Sequence, residues 1–190
     1  EIFQGLRASY EYAGAPRSDI KDYPNFMLGQ LRKEGFIWNA WAKGYKLGVE
    51  ASSDHGSTHV SYACLYATDL TRDALLDAIR RRHSYAATDN IIMDFRMNDQ
   101  STGEHIMGDI FSTNTKPSLF ARIIGTGKLK QVDVIKNNTF VYTANPERES
   151  FEVQFLDKTL APGEAYYYLR AEQEDGQLAW SSPIWVNYRP

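Results

Sequence analysis

Apolar and polar positions alternate in two different ways along the chain, and the change falls near Thr88-Asp89-Asn90. Before it, helical spacing dominates. Phe36, Ile37, Ala40 and Trp41 recur at the period of a helix that stops at Gly44. Thr71 is placed to cap a second helix whose stripe is Leu75, Ala78 and Ile79. That helix closes on Arg80-Arg81-Arg82, where positive charge complements the negative end of the helix dipole; as a function, the triplet reads first as a solvated helix end. Glu1-Ile2-Phe3-Gln4 and Leu47-Gly48-Val49-Glu50 read as short strands, so the first part has the strand and helix rhythm of a parallel α/β layer.

Beyond Asn90 the period shortens to two. Strands are expected at 91–97, 118–125, 129–136, 139–143, 151–156, 165–172 and 178–186. Turns are expected at Gly125-Thr126-Gly127, Asn137-Asn138, Ala161-Pro162-Gly163 and Asp175-Gly176. Short strands without a helix between them predict an antiparallel sandwich of immunoglobulin-like architecture. The expected organisation is therefore α/β plus all-β, residues 1–89 forming one unit and residues 90–190 a β-sandwich.

Composition narrows the function. With 43% apolar residues among 190, the chain can bury a core. The 21 basic and 24 acidic residues leave a net charge of −3, which offers no footprint for a phosphate backbone, so nucleic acid is not an expected partner. No apolar run approaches the roughly 20 residues that span a bilayer, so no membrane is expected. Cys64 is the single cysteine and leaves the compartment open. The chain starts at Glu1 and enters an apparent strand at once, which reads as a piece of something longer.

One stretch is dense in chemistry: Ala51-Ser52-Ser53-Asp54-His55-Gly56-Ser57-Thr58-His59, directly after the expected strand ending at Glu50. Loops at strand C-termini are where α/β proteins build sites. A carboxylate and neutral imidazoles are ligands for Zn, Mn or Fe, so Asp54, His55 and His59 are the candidate metal residues. The plainer reading makes Asp54 and Ser57 caps of a following helix and the histidines surface residues. A Ser-His-Asp triad from such local letters is unconvincing, because triad members converge from separate segments. Asp54 and His55 would point to opposite faces of an extended strand, and Gly56 permits the sharp turn that would bring them together.

Glu1-Ile2-Phe3-Gln4-Gly5, Ala40-Trp41 with Gly44, Ser52-Ser53-Asp54-His55, the segment from Arg82 to Thr88 and the ending Ala179-Trp180-Ser181-Ser182-Pro183-Ile184-Trp185-Val186 together resemble the polymerase and histidinol phosphatase superfamily. The resemblance implies the late part of a (β/α) barrel over residues 1–89 and an appended sandwich. It implies a full-length hydrolase in which a divalent metal activates water against a small-molecule phosphate, amide or carbamate ester. The remaining ligands would lie in absent segments, so this chain alone would take up little or no metal, and its incomplete barrel would self-associate. The competing expectation is a non-catalytic sandwich that binds a glycan or a partner, with a vestigial Asp-His loop. A glycan platform would require exposed, coplanar rings among Tyr166, Tyr168, Trp180 and Trp185; alternating aromatics in strands are more often core. His83 reads as a helix-end residue or a donor behind the metal loop, and His105 as a loop residue without a partner.

Overall fold

A computed structural model describes residues 1–5, 8–18, 33–55 and 58–190. Two helices, α1 (Ile37–Ala42) and α2 (Arg72–Arg81), stand among thirteen strands in the described residues. The strands are β1 (Phe3–Gln4), β2 (Ala51–Ser52), β3 (Tyr62–Leu65), β4 (Ser84–Ala87), β5 (Ile92–Asp99), β6 (Gly103–Ile106) and β7 (Ile110–Thr113). They continue with β8 (Ser118–Lys136), β9 (Thr139–Ala144), β10 (Arg148–Leu156), β11 (Gly163–Gln173), β12 (Leu178–Ser181) and β13 (Ile184–Tyr188). β3 to β13 form one 11-stranded hydrogen-bonded sheet.

The sheet becomes a sandwich because β8 serves both layers. Its first half pairs with β5 and β10, its second half with β11 and β9. The expected turn at Gly125-Thr126-Gly127 is instead the kink between these halves. Buried Gln173 supports it, its side-chain oxygen accepting from the backbone N–H of Thr126 at 2.8 Å. A Cβ at Gly125 would stand 2.6 Å from the Gly127 carbonyl oxygen, so the bend requires glycine there. The expected single strand 178–186 is likewise broken: Pro183 has no N–H for the ladder. The chain re-pairs after it, β12 with β4 and β11, and β13 with β11 and, in parallel, β7.

Between the layers lie Met93, Phe95 and Met97 of β5, Leu119, Ala121 and Ile123 of β8, and Tyr167, Leu169 and Ala171 of β11. β11 is buried on its other face too. There Tyr166 and Tyr168 join Trp180, Trp185 and Ile135 beneath Ile2, Phe3, Val49, Ala51 and Trp41. The run Tyr166-Tyr167-Tyr168 is thus a central strand with both faces covered, which is why it does not alternate in polarity.

The described part of residues 1–89 forms no (β/α) barrel, which overturns the α/β half of the expected fold class. Among the described residues of this region, parallel pairing is confined to two residue pairs, Phe3 with Ala51 and Gln4 with Ser52. β3 and β4, on either side of α2, are antiparallel neighbours and continue the sandwich sheet through β12. A barrel strand must be followed by a helix that packs on a parallel sheet; here the segment 45–50 is irregular, and its Leu47 carbonyl accepts from the Trp41 indole N–H at 2.9 Å.

Two buried carboxylates tie loops to the rim. Asp99 accepts from the hydroxyls of Ser101, Thr102, Thr113 and Thr115, and Asp157 accepts from Lys136 Nζ at 2.6 Å and Tyr167 Oη at 2.7 Å. Burial pushes the Asp157 carboxyl up, but the bonds from Lys136, Thr159 and Tyr167 outweigh it and bring it to about 2. Burial opposes ionisation of Asp99 as well, and its hydroxyl partners override it to hold that group far below the usual carboxylate range. A folded-state value below the unfolded one gives stability that is present above roughly pH 4 and is lost as pH falls through the folded value. The urea midpoint is therefore expected to drop from pH 5 to pH 2.5, and Asp157→Asn to flatten that slope; an unchanged slope in the variant would remove Asp157 from the account.

Candidate functional site

Asp54 does lie next to His55 in space, and the turn that brings them together is at Asp54 itself, whose φ is 61°. Its carboxylate Oδ1 accepts from the backbone N–H of His55 at 2.8 Å and lies 3.2 Å from His55 Nε2. The His55 ring is fully exposed. His59 is exposed and its Nδ1 is 2.6 Å from Thr58 Oγ1. The turn expected at Gly56, and the capping role of Ser57, lie outside the described residues. Ser53 sets the loop: its hydroxyl accepts from the backbone N–H groups of Val60 and Ser61 and donates to the Ser61 carbonyl at 2.9 Å. Gly5 closes the other side, where a Cβ would meet Val60 Cγ1 at 2.6 Å. Among the described residues no group of three His, Cys, Asp or Glu side chains is arranged to hold a metal ion.

Two histidines assigned no common role in the sequence meet one carboxylate. His83 follows α2, and its Nε2 is 2.9 Å from Asp109 Oδ1. His105 is on β6, its ring stacked 3.7 Å from that of Phe111, with Nδ1 3.9 Å from Asp109 Oδ2. This cluster locks the β6–β7 turn to the end of α2, helped by Arg82 Nε donating to the Gly108 carbonyl at 3.2 Å. Nothing in the local sequence foretells it, since 26 residues separate His83 from Asp109.

One three-charge ionic group is buried. Asp133, Arg170 and Trp180 are cross-strand neighbours on β8, β11 and β12. Arg170 Nη2 donates to Asp133 Oδ2 at 2.8 Å and Nη1 to Glu11 Oε2 at 3.1 Å. Glu11 also accepts from the Trp180 indole at 3.0 Å and from Tyr168 Oη at 2.5 Å, and Trp38 Nε1 donates to that hydroxyl at 2.7 Å. Burial raises Tyr168 well above a free tyrosine, and the Glu11 charge raises it further. Each member is satisfied inside the fold, so the network fastens the N-terminal segment and α1 over β11.

A cleft of 270 Å³ lies beside Trp41, Tyr166, Trp185, Asn137, Asn138 and Glu164. Its polar groups are internally engaged: Tyr166 Oη donates to Asn138 Oδ1 at 2.8 Å, the Asn138 amide donates to the Trp38 carbonyl at 3.1 Å, and Lys46 Nζ lies 3.4 Å from Glu164. Tyr166 and Trp185 are 8% and 6% exposed, and Tyr168 and Trp180 are fully buried, so these four rings form no exposed platform. Burial pushes the Cys64 thiol up, with a smaller opposing effect of its hydrogen bond to Tyr85. No helix among the described residues is long and apolar enough to cross a membrane.

No family model matches the chain. A protein of Chlamydia muridarum described as uncharacterized is 35% identical over 227 aligned residues, covering 97% of this chain and 36% of its own length. Uncharacterized proteins of Chlamydia trachomatis serovar D and Chlamydia pneumoniae are each 34% identical over 135 residues, covering 62% of this chain and 21% of their own length. The chain thus spans about a third or less of the relatives it matches. These findings and the strand-dominated fold overturn the resemblance to the polymerase and histidinol phosphatase superfamily. The matching letters around Asp54 and Trp180 serve a loop turn and a buried core position here, not the ends of parallel barrel strands.

Proposed function

We propose that the chain is a non-catalytic β-sandwich interaction module whose Asp54–His55 loop is vestigial. The observation that carries this is where the buried charge goes. Glu11, Asp99, Asp133, Asp157 and Arg170 are the buried charged side chains among the described residues. Each is consumed by partners within the fold. A catalytic site does the opposite: it aims a perturbed acid, base or nucleophile into a cleft that substrate can enter. The cleft beside Trp41 holds instead Glu164, largely exposed and paired with Lys46 in a contact of small energetic weight. The Asp-His loop presents a fully exposed imidazole with no arranged third ligand among the described residues.

The test is turnover. Phosphomonoester, phosphodiester and carboxylic ester substrates, with Zn, Mn or Fe supplied, are expected to react no faster with this chain than with the metal in buffer. Stoichiometric metal uptake together with ester hydrolysis, both lost in Asp54→Ala, would overturn the module reading.

A further inference from the structure

Strand β10 pairs on one side only, with β8, and among the described residues no other strand is bonded to it. It is the outer edge of the layer β6–β5–β8–β10. Edge strands normally carry a protective feature such as a proline, a lysine, an inward charge or a bulge. From Ser150 to Leu156 this one has none of these, and its one charge is Glu152 on the solvent face, 4.0 Å from Arg122: its register irregularity lies before Ser150, and the run Ser-Phe-Glu-Val-Gln-Phe-Leu has neither proline, glycine nor lysine. Phe151, Val153 and Phe155 alternate on the core side and remain only partly buried, and Leu156 on the other face is 45% exposed.

The run is also complementary to itself. Because residues alternate between faces, an antiparallel pairing of two copies keeps both apolar faces together only if the two-fold axis passes through a residue. Centred on Val153, the core side gains Val153 on Val153 and Phe151 on Phe155 of the other copy, twice. The solvent side gains Glu152 opposite Gln154 and Ser150 opposite Leu156. Centring on Glu152 would place two carboxylates face to face, and centring on Gln154 would leave Phe151 opposite Asp157. We infer that this chain forms a two-fold dimer by antiparallel addition of β10 to β10 of a second copy, in the register centred on Val153, making one continuous sheet across both molecules. The inference rests on the interaction-module reading and names its partner as a second copy.

Sedimentation equilibrium over roughly 1 to 500 μM spans the dissociation range of a small interface of this kind. Gln154→Lys, on the solvent face, would set a lysine opposite Glu152 twice per dimer and is expected to tighten association about three- to ten-fold, while Gln154→Glu is expected to weaken it by a similar factor. In a Cys64→Ser background, Val153→Cys is expected to cross-link copy to copy under mild oxidation, because directly opposed residues fall within disulfide reach. Glu149→Cys, beyond the paired run, is expected not to. A monomer throughout the range overturns the inference, as does a dimer that neither responds at position 154 nor cross-links at 153. Either result leaves the module reading to stand or fall by the turnover assays.

Discussion

Arg170→Ala is expected to cost about 3–5 kcal/mol of folding stability, the range for breaking a buried ion pair by removing one partner. The guanidinium lies between Glu11 and Asp133, which are 0% and 1% exposed, so its loss leaves two carboxylates facing each other across a dry space. Phe140 and Tyr12 lose their cation at 5.2 and 5.9 Å as well. Chemical denaturation at pH 7 measures the effect. A second variant separates the lost pair from lost packing: Glu11→Gln, Asp133→Asn, Arg170→Met removes all three charges together and is expected to recover more than half of the deficit, because paired charges contribute little net stability over apolar replacements of similar volume. A triple variant no more stable than Arg170→Ala would show that the two uncompensated carboxylates do not carry the cost.

Trp180→Ala is expected to cost about 3–5 kcal/mol by a different route, the cavity left by a large buried side chain. Trp180 is fully buried, its ring 6.1 Å from that of Phe3, so the hole opens between the sandwich and the N-terminal segment. Trp180→Phe keeps most of that volume and loses the indole N–H to Glu11, which retains Arg170 and Tyr168; its expected cost is about 1–2 kcal/mol. Equal losses in both variants would mean that the hydrogen bond, not the volume, carries the effect. In Trp180→Ala the segment 1–18 is expected to lose amide protection before the inner core around Phe95 and Tyr167, since that core is lined by the opposite face of β11.

The site was harder to read in the sequence than the fold, and for a physical reason. Asp54 and His55 are adjacent in sequence, so their proximity was legible once a turn was assumed. A turn sits at Asp54, whose short polar side chain tolerates the left-handed region. His83, Asp109 and His105 converge from three elements with no local signal, and Glu11 and Arg170 meet across 159 residues.

The local pattern by itself determined the period-two strands beyond Asn90 and the cap at Thr71, whereas of the stripe expected on α2 Ala78 is buried and Ile79 is 55% exposed. Thr71 accepts from the Ala74 N–H, and β5, β9, β10 and β11 fall where alternation placed them. Such signals are carried by residues that touch their sequence neighbours. Only the tertiary structure decided that β3 and β4 join the sandwich rather than a barrel, that β8 runs unbroken through two glycines to serve both layers, and that the Asp133–Arg170–Glu11 row lies buried. Short apolar runs such as Tyr62–Leu65 and Ser84–Ala87 suit parallel or antiparallel partners equally, because strand direction is set by where the chain returns and not by its local polarity. Burial of a charge depends likewise on counter-charges that distant segments deliver, and no window of sequence contains them.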